Sequence, residues 1–231
     1  MYYMFFAEIV NSPSLVGVND HGSVPKADSS LNPCLFTSLH VTLLQNGRIM
    51  NKRRGLAGYG KLLHDKGLVI ASGGNVSARD GSRLIIKKRG ADMSQGRAKD
   101  YVCVLFSETE KKKDILSREA PFHVACYDAR EDVGAVVHTH SPIMMAVAEK
   151  TAILSDISYE FQCVVESAVP VIGYLKPGSD ELAAAIAGEI KQGANAVLMK
   201  KHGAVSVGRD IEQAYVRMIA LERACQTFLL S

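Results

Sequence analysis

The run Gly134-Ala135-Val136-Val137-His138-Thr139-His140-Ser141-Pro142 constrains this chain more than any other stretch. Its small and β-branched residues over 134–137 predict a buried strand. Side chains alternate between the two faces of a strand, so His138 and His140, two apart, leave the same face. Two imidazoles so placed can share one divalent cation, which then needs a third ligand from another element and keeps an open position if it is catalytic. His202, in Lys200-Lys201-His202-Gly203 at the end of the apolar run 196–199, is the natural third ligand. A His-x-His pair alone is balanced between metal binding and ordinary hydrogen bonding; a third strand-end histidine favours the metal.

The rest of the chain excludes several function classes. At 231 residues, 47% hydrophobic and 22% charged, it has material for one α/β domain with a substantial core. The net charge of +3 is small, and the one basic run, Lys111 to Lys113, lies beside Glu108 and Glu110. That pattern describes a solvated loop, so no nucleic-acid partner is expected. No apolar run approaches the roughly 20 residues a membrane span requires. Cys34, Cys103, Cys126, Cys163 and Cys225 are odd in number and form no CxxC pair, which points to reduced thiols in a cytoplasmic protein.

Residues 1–49 show no sustained helical or strand period and carry turn-forming stretches such as Asn19-Asp20-His21-Gly22. They are expected to be a poorly ordered extension, or the product of a start assigned too early, with Met50 the better beginning. The domain proper is expected over 50–231. There, a helix is predicted at 52–66 from Leu56, Tyr59, Leu62 and Leu63, stopped by Gly67. Strands follow at 75–79 and 83–87 around the Asp80-Gly81 turn, then at 101–106. A helix over 119–130 precedes the histidine strand, and Pro142 opens another to Glu149. The segment 151–168 is ambiguous. A strand at 169–174, a helix at 180–192 capped by Ser179, strands at 196–199 and 204–207, and a helix at 211–229 capped by Asp210 complete the order. Helices mixed with hairpins predict a single α/β domain, a central, mainly antiparallel β-sheet flanked by helices.

Three further groups carry chemistry. Glu119 opens a helix that can fold back beside the histidine strand, where a carboxylate could ligate the metal or act as acid/base. The commoner use of such a glutamate is interaction with the helix macrodipole. His123 lies one turn on, within reach of Glu119, and is expected to support the fold rather than bind metal. Ser72-Gly73-Gly74-Asn75 is a glycine-rich turn whose amides suit an anion, with Lys87, Lys88 and Arg89 adding positive charge; an ordinary hairpin entry and solvated cations are the plainer readings.

Taken together, Ser72-Gly73-Gly74-Asn75-Val76-Ser77, Ser117-Arg118-Glu119 with Pro121-Phe122-His123, Ala135 to Ser141, Lys201-His202-Gly203 and the Leu221-Glu222 helix resemble the class II aldolase/adducin family. The resemblance runs from about Met50 to the C-terminus. It implies the family's three-layer architecture and Zn2+, or another divalent metal, on His138, His140 and His202. Glu119 would be the resting ligand and catalytic acid/base, and Gly74, Asn75 and Ser117 the holders of a substrate phosphate. The implied activity is that of a lyase cleaving a sugar phosphate or related ketose by retro-aldol chemistry through a metal-stabilised enediolate. A dehydratase, decarboxylase or 4-epimerase of the same family is the alternative, although epimerases carry aspartate at position 119. A non-catalytic adducin-like module ranks last, because such members have lost metal ligands that are present here. The resemblance also implies a homotetramer. It departs at Arg118, where a second serine is usual, and at Ile85 to Gly90, and it leaves the proton donor open between Tyr159 and Tyr174.

Overall fold

The structure, a computed structural model, describes residues 33–231, with side chains from residue 45. Contacts divide the chain into Met1–Val41 and Thr42–Ser231, and among the described residues the strands lie in the second unit. Helix α1 (Pro33–Asp65) starts well before the expected residue 52. Residues 45–48 are all exposed, so no apolar stripe marks that part of the helix in the sequence. Leu56 and Leu63 are buried as expected, whereas Leu62 faces outward. Of the expected extension, residues 1–32 lie outside the described residues, and the remainder falls within α1.

The strands are β1 (Asn75–Asp80), β2 (Arg83–Lys87), β3 (Tyr101–Leu105), β4 (Ala135–Thr139), β5 (Ile153–Leu154), β6 (Val169–Ile172), β7 (Ala196–Met199) and β8 (Gly203–Gly208). They form one sheet in the order β3-β2-β1-β4-β8-β7-β6-β5. Every neighbouring pair is antiparallel except β6 and β7. The remaining helices are α2 (Ala120–Ala129), α3 (Pro142–Ala148), α4 (Tyr159–Val165), α5 (Asp180–Lys191) and α6 (Ile211–Leu230). The ambiguous stretch 151–168 therefore resolves into β5 and α4, elements of 2 and 7 residues that are too short for periodicity to reveal.

Strand alternation divides the core into two layers. Val76, Ala135, Val137, Leu198 and Ala204 pack with α1, α3, α4 and α6, while Val136, Val197, Val205 and Val207 pack with α2 and α5. This is the expected three-layer, mainly antiparallel α/β domain. By the same alternation Asn75 and Ser77 of β1 and His138 of β4 share the face covered by α2. Asn75 stands directly opposite His138, and Ser77 opposite Val136. Among the described residues, no helix is long and apolar enough to cross a membrane.

Candidate metal centre

Three chain segments converge at the C-terminal end of β4. His138 lies in β4, His140 follows just beyond it, and the tight turn between β7 and β8 delivers His202. Gly203 makes that turn possible: its φ is +141°, and a Cβ there would lie 2.0 Å from the carbonyl oxygen of Thr139. Glu119 enters from the start of α2. It is the N-cap residue but makes no side-chain capping bond, so the macrodipole reading of this glutamate does not describe its contacts.

The carboxylate instead bridges two histidines. Its Oε2 lies 2.9 Å from His138 Nε2, and its Oε1 lies 2.8 Å from His202 Nε2. His138 Nε2 is also 2.8 Å from His140 Nε2. One ligand atom from each of Glu119, His138, His140 and His202 falls within 4.8 Å of the others. All are buried except His140, which is partly exposed. Burial disfavours the Glu119 charge, yet the neighbouring His138 and His202 outweigh it, holding the carboxyl well below the usual carboxylate range. Burial first, and His138 second, push the His140 imidazole down to about 3.

The donor set fits a divalent cation. His138 Nδ1 donates to the carbonyl oxygen of Ala204 at 2.9 Å, which fixes a proton on that nitrogen and turns Nε2 towards the other three residues. His138 Nε2 faces the His140 Nε2 and a Glu119 carboxylate oxygen, atoms of the type that a divalent cation could share. The backbone bond on the far ring nitrogen is the usual support for a metal-bound histidine. His202 Nδ1, buried, has no such partner.

The three residues expected at the phosphate lie beside this centre. Gly74 has φ +60°, and a Cβ there would meet Val69 Cγ1 at 2.4 Å and the His138 carbonyl oxygen at 2.7 Å, so the glycine turn seats directly on the histidine strand. Asn75, nearly fully buried, donates from Nδ2 to Glu119 Oε2 at 3.1 Å. Ser117 Oγ accepts from the Glu119 backbone N–H at 3.4 Å. Tyr159 and Tyr174 are both exposed.

Two residues that composition reads as ordinary have specific places. Lys87 is 2% exposed rather than solvated, and its Nζ donates to the carbonyl oxygens of Ser72 at 2.6 Å and Ala91 at 2.9 Å. Its backbone carbonyl accepts from Ser117 N–H at 3.1 Å, so one residue ties the glycine turn to the Ser117–Glu119 segment. Burial pushes its amine down to about 8. His123 is fully buried and reaches Glu119 only through Asn75, not directly as its i+4 spacing suggested.

The fold is a three-layer α/β domain, and its histidine–glutamate cluster at a strand end could hold a divalent metal. The sequence matches the family described as "Class II Aldolase and Adducin N-terminal domain" over residues 54–229, and the chain belongs to that family. It is 31% identical over 166 residues to an L-fuculose phosphate aldolase of Methanococcus maripaludis, covering 72% of this chain and 89% of the relative. A 5-deoxy-D-ribulose 1-phosphate aldolase of Bacillus thuringiensis is 29% identical over 187 residues, 78% of this chain and 85% of its own length. In fold, an L-fuculose-1-phosphate aldolase from Thermus thermophilus superposes with a TM-score of 0.69 at 24% identity, covering 80% of this chain and 94% of that one. With aldolases as its relatives over most of their length, the chain is an enzyme of the lyase class.

Proposed function

We propose that this enzyme cleaves a sugar phosphate, or a related ketose, by retro-aldol chemistry that depends on a divalent metal, Zn2+ by the chemistry of the donor set. The observation that carries this reading is the convergence of Glu119, His138, His140 and His202 on one point. Three imidazole nitrogens and a carboxylate suit zinc. When bound there, such an ion supplies Lewis acidity towards a substrate carbonyl oxygen. Glu119 then has two tasks: completing the donor set at rest, and accepting or returning a proton once substrate oxygens take its place.

The substrate phosphate is assigned to the glycine turn and its neighbours: Gly74 through its backbone N–H, Asn75 through its second amide hydrogen, and Ser117 through its hydroxyl. The approach of Gly74 to the His138 carbonyl supports this, because it sets an anion-binding turn beside the reacting carbons. The same reading makes the protein a cytoplasmic homotetramer, with residues 50–231 as its catalytic domain after an extension over 1–49. The family match over residues 54–229 falls within that domain.

The test is to incubate the enzyme with L-fuculose 1-phosphate and 5-deoxy-D-ribulose 1-phosphate, and in the reverse direction with dihydroxyacetone phosphate and short aldehydes. Cleavage or condensation that stops on chelation and returns with Zn2+ supports the proposal. Dehydration, decarboxylation or epimerisation of these or related sugar phosphates replaces it with the corresponding family activity. No metal-dependent turnover of any sugar phosphate contradicts it.

A further inference from the structure

Behind Glu119, between α2 and β1, lies a continuous buried row of polar side chains: Asn75, His123, Ser77 and Tyr127. Asn75 Nδ2 donates to Glu119 Oε2 at 3.1 Å, and Asn75 Oδ1 faces His123 Nε2. His123 Nδ1 lies 2.7 Å from Ser77 Oγ, and Ser77 Oγ lies 2.7 Å from the Tyr127 hydroxyl.

The proton positions along this row follow from one another. The amide oxygen of Asn75 can only accept, so His123 Nε2 must carry the ring proton that meets it. A neutral imidazole has one N–H, so Nδ1 is a lone pair and Ser77 must donate to it. The single hydroxyl hydrogen of Ser77 is then committed, and Tyr127 must donate to Ser77 in turn. Burial, and then the nearby His138, push the His123 imidazole down to about 3, consistent with the single ring proton this order requires.

We infer that His123 is a positioning residue for Glu119, the centre of a one-way relay in which every proton from Tyr127 to Asn75 points towards the carboxylate. The other tautomer of His123 would set its Nε2 lone pair against the Asn75 oxygen, and a doubly protonated ring would turn the Ser77 hydrogen away from His123 towards Tyr127, reversing that half of the row. In the assigned state the Asn75 amide is unable to turn, so Oε2 stays at β1 while Oε1 faces His202. The spacing that builds the relay is visible in the chain: Asn75 and Ser77 share one strand face, and His123 and Tyr127 share one helix face, four residues apart. The catalytic consequence rests on the function proposed above; the direction of the relay does not.

Neutron diffraction from deuterium-exchanged crystals tests the relay without reference to turnover. Deuterium is expected on His123 Nε2 and not on Nδ1, with the Ser77 deuteron aimed at His123 and the Tyr127 deuteron aimed at Ser77. Deuterium on His123 Nδ1 overturns the inference. Kinetics test its consequence. His123→Asn and His123→Leu should lose about 10–100-fold in kcat with KM and bound metal unchanged. His123→Gln, whose amide can replace the Nε2 donor, should recover most of that loss, and Tyr127→Phe should show a smaller fall of the same kind. A His123→Gln variant as slow as His123→Leu, or a loss confined to KM or metal content, overturns the positioning role. If the wild type turns over no sugar phosphate, the proposed function fails while the neutron map still decides the relay.

Discussion

Ser141 and Glu222, 81 residues apart, meet in a buried hydrogen bond of 2.6 Å between Ser141 Oγ and Glu222 Oε2. The same hydroxyl oxygen caps α3, accepting from the N–H groups of Ile143 at 3.2 Å and Met144 at 3.3 Å. A single side chain thus anchors the exit of the histidine strand to both α3 and α6. Ser141→Ala should remove a cap worth about 1 kcal/mol. It should also leave a buried carboxylate short of a donor, at about 1.5–3 kcal/mol. Denaturant unfolding should therefore show a loss of about 2–4 kcal/mol. A change below about 0.5 kcal/mol, ordinary for a surface substitution, would show that Glu222 finds another partner.

Gly74→Ala places a methyl group where the backbone is left-handed and the His138 carbonyl stands 2.7 Å away. The conformation alone costs about 1–2 kcal/mol. The clash with a main-chain carbonyl adds to this, and relieving it must displace His138. The variant should be less stable and should bind zinc more weakly, both measurable by titrating the metal-free protein. Wild-type zinc affinity would mean that the turn moves independently of the histidine strand.

His123 also makes stability depend on acid. Its folded value of about 3 lies below the ordinary 6.5, so between those values the unfolded chain binds the extra proton. Stability from this residue is complete above about pH 6.5 and falls as pH drops towards 3. The loss between pH 7 and pH 5 should be about 2 kcal/mol. Urea unfolding of the wild type and of His123→Gln at both pH values isolates the contribution, and the variant should show the shallower dependence. Equal slopes would assign the acid sensitivity to other groups.

Lys87 links the glycine turn to the Ala91 loop through two carbonyl oxygens. Lys87→Met keeps the side-chain length but leaves both oxygens without this donor, at about 1–3 kcal/mol each where water does not replace it. The variant should show a raised KM for phosphorylated substrate and an unchanged metal content. A normal KM would show that the turn keeps its shape without the lysine.

Local periodicity was enough to read much of this site. The two-residue spacing of His138 and His140 set them beside each other, and the strand-end position of His202 marked it as their partner. Residue chemistry alone marked Glu119 only as a candidate, because a helix-start glutamate has a commoner use; the family resemblance named it a ligand, and the fold turns its carboxylate towards His138 and His202. The role of Asn75 towards Glu119 was hidden for a different reason. It depends on the register that sets Ser77 opposite Val136 and on α2 lying across β1, both long-range facts. Lys87 read as solvated because burial of a charged strand end is decided by loops that close over it. Just ahead of the expected start of α1, residues 45–48 are polar or glycine and exposed, so they gave the helix no apolar stripe to extend along.

Three histidines and one glutamate are expected to hold a single divalent ion. Metal analysis of the purified protein beside His202→Ala and Glu119→Gln tests it most directly. Stoichiometric zinc is expected in the wild type, with its loss in His202→Ala and retained zinc without turnover in Glu119→Gln. Undiminished zinc in a folded His202→Ala variant, or a wild type that binds none when zinc is supplied, would contradict it.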